Sequence, residues 1–253
     1  MKMHVLSGGR LRMKKSVYIP DAARTDLIDL PVMCFLLRHK QGNVLSDSGC
    51  HPHAALDPEA RWGGMAKAFA LVSAPEDNLI GGLAALGFKP EDIDVVVNSH
   101  LHTDHCGCNE FFSRATVMCH ALELEAATAE NAEQNGFLER DWKHPMPIET
   151  FDTQRDLFGD GRIVLLPLPG HTPGTSAALV SLDRAGRFLL VSDVVALRHN
   201  LERDHSPKNT WNLDLAAKSR AEIRRIEAAG ASIVFGHDAE QWDTLHKGEQ
   251  FYD

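Results

Sequence analysis

Residues 98–107 read Asn98-Ser99-His100-Leu101-His102-Thr103-Asp104-His105-Cys106-Gly107 and directly follow an apolar run. Three histidines and one carboxylate within so short a stretch are typical of a metal centre, not of a hydrophobic core. Side chains alternate in direction along an extended segment, so His100 and His102 point the same way and can bind one ion. Asp104 and His105 follow where the chain must turn, and they can face a second ion. The stretch therefore predicts a site for two metal ions.

An apolar strand followed by a metal-ligand side chain occurs at four places in the chain. The motif at residues 100–105 follows the apolar run 95–97, and His171 follows the run 163–168. Asp193 follows the run 188–191, and His237 follows the run 233–235. Strands hold fixed positions and the loops at their ends let side chains converge, so these ligands can meet at one edge of a sheet. Gly170 and Gly236 permit tight turns beside two of them. The repeated pattern predicts one shared site.

The predicted ligands are enough for two ions. One ion receives nitrogens from His100, His102 and His171, the other receives donors from Asp104, His105 and His237, and Asp193 can bridge the two. This set suits Zn²⁺ and also Mn²⁺, Fe²⁺ or Co²⁺, because ligand type alone does not choose among them. A hydroxide shared by ions ~3.5–4 Å apart is a nucleophile, since a bound metal lowers the pKa of water from ~15.7 to about 7. We expect hydrolysis of a carbonyl or phosphorus centre, with Asp104 counted among the catalytic residues as well as the ligands.

Composition and charge narrow the class of protein. The chain has 253 residues, of which 43% are hydrophobic, and we expect a single domain over residues 1–253. Its formal net charge of -9 argues against nucleic acid and anionic membrane surfaces as partners. No apolar stretch approaches the roughly 20 residues of a membrane span, and the N-terminus lacks the apolar segment of a signal peptide. Five scattered cysteines indicate reduced thiols in a cytoplasmic protein.

Strand patterns outnumber helix patterns in the buried segments. Strands are predicted at residues 32–38, 44–46, 93–97, 162–166, 176–182, 187–191 and 231–235, the first two as a hairpin. Helices are predicted after a capping box at residues 73–76, at about 121–135 and at 213–229. Strand groups separated by helices predict a layered α/β protein with sheets packed face to face and helices outside.

These residues resemble the signature of the metallo-β-lactamase superfamily. The H-x-H-x-D-H motif stands at residues 100–105, and the separate His, Asp and His ligands and a D-[ST]-G element at residues 47–49 complete the pattern. The resemblance covers essentially the whole chain. It implies an αββα sandwich of two mixed β-sheets flanked by helices, with a dimetal site at the sheet edges. It also implies that Asp47 hydrogen-bonds near a ligand, with a plain turn-forming Asp as the alternative.

Within the superfamily the chain is most similar to the N-acyl-homoserine lactone lactonases and 4-pyridoxolactonases. The similarity is carried by residues 92–107 with Asn109, by Cys119 and His120 with Glu123, and by the ending at residues 237–252. It implies a monomeric or homodimeric quorum-quenching hydrolase that opens a small-molecule lactone by attack of a metal-bridging hydroxide on the carbonyl. Two divalent ions, with zinc as the first expectation, are the implied cofactors.

One departure from the lactonases concerns a hydrogen-bond donor. They place a tyrosine three residues after the bridging aspartate, and this chain has Ala196 there. Neither Tyr18 nor Tyr252 fits that position in the sequence. His199 and His120 are therefore the candidates for the missing catalytic donor, and packed or solvated histidines are the alternative. Loss of such a donor to a developing oxyanion can cost ~10²–10³ in rate.

Other functions stay open at this point. The same fold can hydrolyse 4-pyridoxolactone, an ester, a thioester or a phosphoester, and a non-catalytic metal-binding protein is the alternative from another class. Diiron redox relatives typically have a carboxylate where His102 stands. They also need a flavin domain, and we expect none besides the single domain over residues 1–253. Both facts count against a redox protein.

Several apolar residues are candidates for the substrate site. Trp142, Met146 and Trp211 lie in loop-like segments and are candidates for the wall of an acyl pocket. The stretch with Trp62, Met65, Phe69 and Leu71 suits a flap or a dimer contact, and ordinary core packing accounts for it equally well.

Overall fold

Seven strands form the first β-sheet of the computed structural model, which describes residues 1–74 and 77–253. In chain order they are β1 (Lys2–Lys14), β2 (Leu27–His39), β3 (Gly42–Ser46), β4 (Phe69–Leu71), β5 (Val95–Val97), β6 (Thr116–His120) and β7 (Ile148–Phe151). Their order across the sheet is β4-β1-β2-β3-β5-β6-β7. The β2–β3 hairpin is antiparallel as predicted, and β3, β5, β6 and β7 are parallel. The carboxyl end of β5, where the motif begins, therefore lies among parallel neighbours at one edge.

Five strands form the second sheet. They are β8 (Arg155–Asp156), β9 (Ile163–Pro167), β10 (Ser176–Leu182), β11 (Gly186–Ser192) and β12 (Ala231–Phe235), in the order β12-β11-β10-β9-β8. Strand β11 is parallel to β12, and both β9 and β11 are antiparallel to β10. Strands β9, β11 and β12 consequently run in the same direction. The three loops that carry His171, Asp193 and His237 leave the same edge of this sheet.

Eight α-helices connect or cover the strands. They are α1 (Pro58–Trp62), α2 (Leu79–Ala85), α3 (Thr103–Cys106), α4 (Ala121–Ala127), α5 (Glu139–Trp142), α6 (Arg198–Glu202), α7 (Leu213–Ala228) and α8 (Ala239–Thr244) in the described part of the chain. The predicted capping box includes Pro75 and Glu76, which lie outside the described residues. The N-cap of α2 is Asn78, whose side chain accepts a hydrogen bond from Gly81 N. Among the described residues no helix has both the length and the apolar character needed to cross a bilayer.

Three of the buried hydrophobic clusters are stacked as layers between and outside the two sheets. Alternate residues of β2 point to opposite faces, so Phe35 packs between the two sheets and Leu36 packs outward under α2. In β11, Leu190 likewise joins the layer between the sheets and Leu189 packs under α7. Helix, sheet, sheet and helix therefore follow one another through the molecule. The predicted αββα sandwich is confirmed.

Candidate metal centre

A buried network of polar side chains fixes the path of the chain after β5. Asn98 Nδ2 donates to the carbonyl oxygen of His105 at 2.9 Å, which closes the loop that contains the motif. Asn109 Nδ2 donates to Asn98 Oδ1 at 2.8 Å, and Ser48 Oγ donates to Asn109 Oδ1 at 2.8 Å. Helix α3 begins inside the motif, directly after His102. This turn brings the later ligands of the motif back toward the earlier ones.

All seven sequence-predicted ligands meet at the shared edge of the two sheets. Their donor atoms form three groups, each within 4.8 Å: His100, His102 and His171; His100, His105 and Asp193; and Asp104, His105 and His237. The first and third groups are the two ion sets predicted from the sequence.

Asp193 lies between the two histidine sets. Its Oδ2 is 3.3 Å from His171 Nε2, and its Oδ1 is 2.8 Å from His237 Nε2 and 3.8 Å from His105 Nε2. One carboxylate oxygen thus faces each predicted ion. This is the position that a bridging ligand requires.

The buried polar atoms of the cluster fit the donor set of a metal. Nε2 of His100, His105 and His237 and Oδ1 of Asp193 are buried and make no well-aligned hydrogen bond within the described residues, even though Asp193 Oδ1 and His237 Nε2 are 2.8 Å apart. Burying such atoms unpaired is unfavourable, and the two predicted cations would satisfy all four between them. The side chains present therefore fit two divalent ions held by imidazole and carboxylate.

The protonation states favour metal binding by the first histidine set. Burial and the neighbouring His105 hold the pKa of His100 well below its usual range. Burial and His171 lower the pKa of His102 to about 3. Burial also lowers the pKa of His171. These imidazoles are therefore neutral near pH 7, which is the form that coordinates metals.

The carboxylates of the centre are ionised, because neighbouring histidines lower their pKa values. Burial alone would raise the pKa of Asp104, but His105 and His237 lower it to about 2. Asp193 behaves in the same way, since His237 and His171 hold its pKa well below the usual range against the effect of burial. Burial would lower the pKa of His105, but Asp104 and Asp47 raise it well above the usual range. Without a metal the two carboxylates are therefore ionised and His105 carries an extra proton, which a cation bound by the second set would replace.

Outer hydrogen bonds orient the ligating imidazoles. His105 Nδ1 donates to Asp47 Oδ2 at 2.9 Å, and Ser99 N donates to Asp47 Oδ1 at 2.7 Å. His237 Nδ1 donates to the carbonyl oxygen of Pro31 at 2.9 Å. When Nδ1 carries the proton, Nε2 is left with its lone pair toward the centre. The hydrogen bond expected of Asp47 is present.

Glu123 ties two ligand loops together, a role that the sequence did not reveal. It is fully buried on α4; its Oε1 accepts from Leu101 N at 2.9 Å, and its Oε2 accepts from Thr172 Oγ1 at 2.6 Å and Gly174 N at 3.0 Å. Burial raises the pKa of Glu123 to about 7 in spite of these donors. A glycine is required at 174 because an added Cβ would lie 2.3 Å from Glu123 N. The only signal in the sequence was the place of Glu123 within the lactonase-like pattern.

The two histidines proposed as substitute donors do not reach the centre. His120 is the N-cap of α4: its Nδ1 accepts from Leu122 N at 3.2 Å, and its Nε2 donates to the carbonyl oxygen of Asp152 at 3.2 Å. Both ring nitrogens are occupied, so His120 has none to offer a substrate. His199 is half-buried on α6, and its ring contacts His205 edge-on at 5.2 Å. Neither residue lines the cavity beside the ligands.

A cavity of about 730 Å³ borders the ligand cluster. His102, Asp104, His171 and Asp193 form its polar wall, and the remaining lining is largely apolar, from Leu11, Met13, Met65, Phe69, Phe137 and Trp211. Trp211 thus lines the cavity as predicted, but Trp142 and Met146 pack in interior clusters instead. Of the predicted flap residues, Met65 and Phe69 reach the cavity, whereas Trp62 is fully buried in the core.

Tyr18 also lines this cavity, contrary to the expectation from its position in the sequence. Its side chain is buried, and the negative charges of Asp193 and Asp104 add to the effect of burial in raising the pKa of Tyr18 well above its usual range. The side chain of Asn209, another lining residue, hydrogen-bonds the phenol. Sequence spacing did not indicate this placement because Tyr18 lies outside every ligand segment.

Comparison with known proteins gives consistent matches. The family model described as the metallo-beta-lactamase superfamily matches residues 27–237. The N-acyl homoserine lactonase AttM of Azorhizobium caulinodans is 29% identical over 260 residues, covering 100% of this chain and 99% of the relative. The N-acyl homoserine lactonase AiiA of Bacillus thuringiensis subsp. kurstaki is 28% identical over 247 residues, covering 95% of this chain and 94% of the relative.

Solved structures share the fold. An N-acyl homoserine lactone hydrolase with the product N-hexanoyl-L-homoserine bound at its catalytic metal centre superposes with a TM-score of 0.89 at 24% identity, covering 99% of this chain and 98% of that one. AidC, described as a dizinc quorum-quenching lactonase, superposes with a TM-score of 0.70 at 18% identity, covering 99% and 93%.

Proposed function

Because the chain belongs to the metallo-beta-lactamase superfamily, we propose that it is a metal-dependent hydrolase that opens the lactone ring of N-acyl homoserine lactones. The observation that carries the proposal is the meeting of seven ligand side chains at the wall of a cavity with a largely apolar lining. A hydrolytic centre thereby adjoins a compartment for an acyl chain. Relatives that match nearly the whole chain are named N-acyl homoserine lactonases, which supports this substrate.

Each ligand has a part in holding the metals. His100, His102 and His171 would hold one ion and Asp104, His105 and His237 the other, with Asp193 shared. Zinc is the metal we propose, because imidazole and carboxylate suit it and a similarly folded lactonase is described as dizinc. Bound divalent ions supply Lewis acidity toward a carbonyl and lower the pKa of water to about 7.

The cavity supports an acylated substrate. Its apolar lining includes Met65, Phe69, Phe137 and Trp211, which adjoin the polar wall formed by the ligands. Each methylene of an acyl chain buried there contributes about 0.8 kcal/mol. Affinity should therefore rise with chain length while the lactone ring stays at the polar wall. A bare lactone without an acyl chain would lose this contribution.

A cytoplasmic location is proposed from the state of the thiols. All five cysteines are buried and free. Unpaired thiols are typical of proteins in reducing compartments. Fractionation of the native organism with detection of the untagged protein tests this point, and recovery outside the cytoplasm would contradict it.

A substrate panel with the zinc-loaded protein tests the activity. The panel comprises homoserine lactones with short and long acyl chains, 4-pyridoxolactone, a thioester and a phosphodiester, followed by proton release. We expect the acylated homoserine lactones to react fastest, and we expect removal of the metal with a chelator to abolish turnover until zinc is returned. If only another class of substrate is turned over, that class replaces the acylated homoserine lactones as the proposed substrate. If the zinc-loaded protein turns over none of them, the proposed hydrolase activity is refuted and the protein is a metal-binding protein without it.

Two histidine variants test whether the measured activity depends on the metal centre. His102→Ala removes a ligand that lines the cavity, and we expect it to lose zinc and most activity. His199→Ala removes a histidine that does not line the cavity, and we expect it to keep both. Equal losses in the two variants would contradict the assigned roles.

A further inference from the structure

Tyr18 brings a phenol to the cavity wall beside the metal ligands. The residue is 4% exposed and lines the cavity together with Asp104 and Asp193. The charges of both carboxylates act on the phenol, so its hydroxyl lies within electrostatic range of the centre. A substrate in this cavity therefore lies against a wall to which both Tyr18 and the ligands contribute.

The backbone and ring of Tyr18 are both held in place. The carbonyl oxygen of Tyr18 accepts from Asn200 Nδ2 at 2.9 Å and lies 2.6 Å from His205 Nε2, and Tyr18 N donates to the carbonyl oxygen of Lys15 at 3.0 Å. The ring belongs to a buried cluster that also contains Ala196. A residue fixed in this way keeps its hydroxyl in one position, which is what a preorganised hydrogen-bond donor requires.

The side chain of Asn209 is a hydrogen-bond partner of the phenol. The amide NH₂ can donate to the phenol oxygen, and this arrangement leaves the proton of the phenol for another acceptor. A phenol has an ordinary pKa near 10 and therefore carries its proton at neutral pH. That proton is available to a third group in the cavity. Ala196, in the same cluster, offers no polar side-chain atom.

We propose that Tyr18 is a catalytic residue that donates a hydrogen bond to the oxygen on which charge develops as the substrate ring opens. The inference rests on the proposed function. In the reaction water adds to the carbonyl carbon, the C–O bond of the ring breaks, and the ring oxygen takes a proton and leaves as a hydroxyl group. A fixed neutral donor stabilises the charge of the transition state more than it stabilises the uncharged ester. Tyr18 keeps its own proton throughout.

The kinetic test compares the two tyrosines of the chain. Tyr18→Phe keeps the packed ring and removes the hydroxyl; we expect kcat to fall about 10²-fold with KM and zinc content little changed. Tyr252→Phe is the matched control, because its hydroxyl accepts from His246 N and does not line the cavity. We expect wild-type kinetics from that variant. An unchanged kcat in Tyr18→Phe would overturn the inference, whereas lactone turnover by the wild type would still support the proposed function.

A spectroscopic test does not depend on turnover or on the folding of Tyr18→Phe. With 3-fluorotyrosine incorporated into Tyr252→Phe, the single fluorine signal reports on residue 18. We expect this signal to shift when zinc-loaded protein binds the product N-hexanoyl-L-homoserine. Zinc-free protein with the same product is the control for metal dependence. A signal that stays in place while calorimetry shows the product bound would overturn the inference.

Discussion

Replacing Glu123 with glutamine should loosen both ligand loops at once. The carboxylate accepts hydrogen bonds from Leu101 N, from Thr172 Oγ1 and from Gly174 N, at 2.9, 2.6 and 3.0 Å. Leu101 stands between two ligands of the motif, and Thr172 directly follows a third. Glu123→Gln preserves the size of the side chain but offers one acceptor oxygen in place of two. The variant therefore tests whether the position of the ligands depends on this carboxylate.

The expected cost follows from counting donors. If the amide oxygen takes the place of Oε2, it still serves Thr172 and Gly174, but the amide NH₂ then faces Leu101 N, which is also a donor. A buried donor without an acceptor costs about 1–3 kcal/mol. The opposite amide orientation deprives both Thr172 and Gly174 of their acceptor and costs more. We therefore expect Glu123→Gln to lower the free energy of unfolding by roughly 2 kcal/mol.

Urea denaturation of the metal-free protein measures this cost. Work at about pH 8 keeps the carboxylate ionised, since the pKa of Glu123 is raised to about 7. Glu125→Gln is the matched control, because Glu125 is exposed on the same helix. Competition with a chromophoric chelator then measures zinc affinity, which we expect to weaken about 10- to 100-fold in Glu123→Gln alone. Stability within about 0.5 kcal/mol of the wild type together with an unchanged zinc affinity would refute the reasoning.

Two further substitutions probe the surroundings of the centre. Gly136 has a φ of +92°, and an added Cβ would lie 3.0 Å from the His102 ring. Gly136→Ala should therefore displace this ligand and reduce bound zinc from two equivalents toward one, as measured by elemental analysis. Gly161→Ala, with a φ of +73° and no atom within 4 Å, carries similar backbone strain and should keep its zinc. Arg61→Ala leaves the fully buried Asp141, 2.5 Å from the guanidinium, without its cation. It should cost about 3–5 kcal/mol in urea denaturation, and a loss below about 1 kcal/mol would contradict the importance of this ion pair.

Local patterns predicted much of the second sheet and the seven side chains that meet at the candidate metal centre. Residues 176–182 and 231–235 are strands with the predicted bounds, because their apolar runs are buried on both faces and end at turns. The ligands were predictable for a related reason. Each stands just beyond the end of such a strand, so the direction of the strands brings the ligands to one edge without information from distant residues.

The first strand could not be predicted, because its stability depends on a contact distant in sequence. Strand β1 contains Gly8 and Gly9, a pair that normally indicates a turn. In the fold the register of β1 shifts between Ser7 and Arg10, and a Cβ added at Gly8 would lie 2.8 Å from the Cα atom of Gly49. Glycine is needed there for close approach of two backbones. No pattern within the strand itself records that requirement.

The absence of a tyrosine at residue 196 shows that prediction from local sequence is limited in the same way within the site. A motif specifies a side chain by its distance along the chain from a ligand, whereas the cavity requires only that a donor be present at a point in space. The segment after Ala196 meets that requirement indirectly, because Asn200 and His205 hold the carbonyl oxygen of Tyr18. The small side chain at residue 196 and the ring of Tyr18 lie in one buried cluster. This chain, which has no tyrosine at residue 196, therefore packs the ring of Tyr18 and anchors its backbone instead. A search for the donor should therefore begin from the walls of the cavity and not from the spacing of the motif.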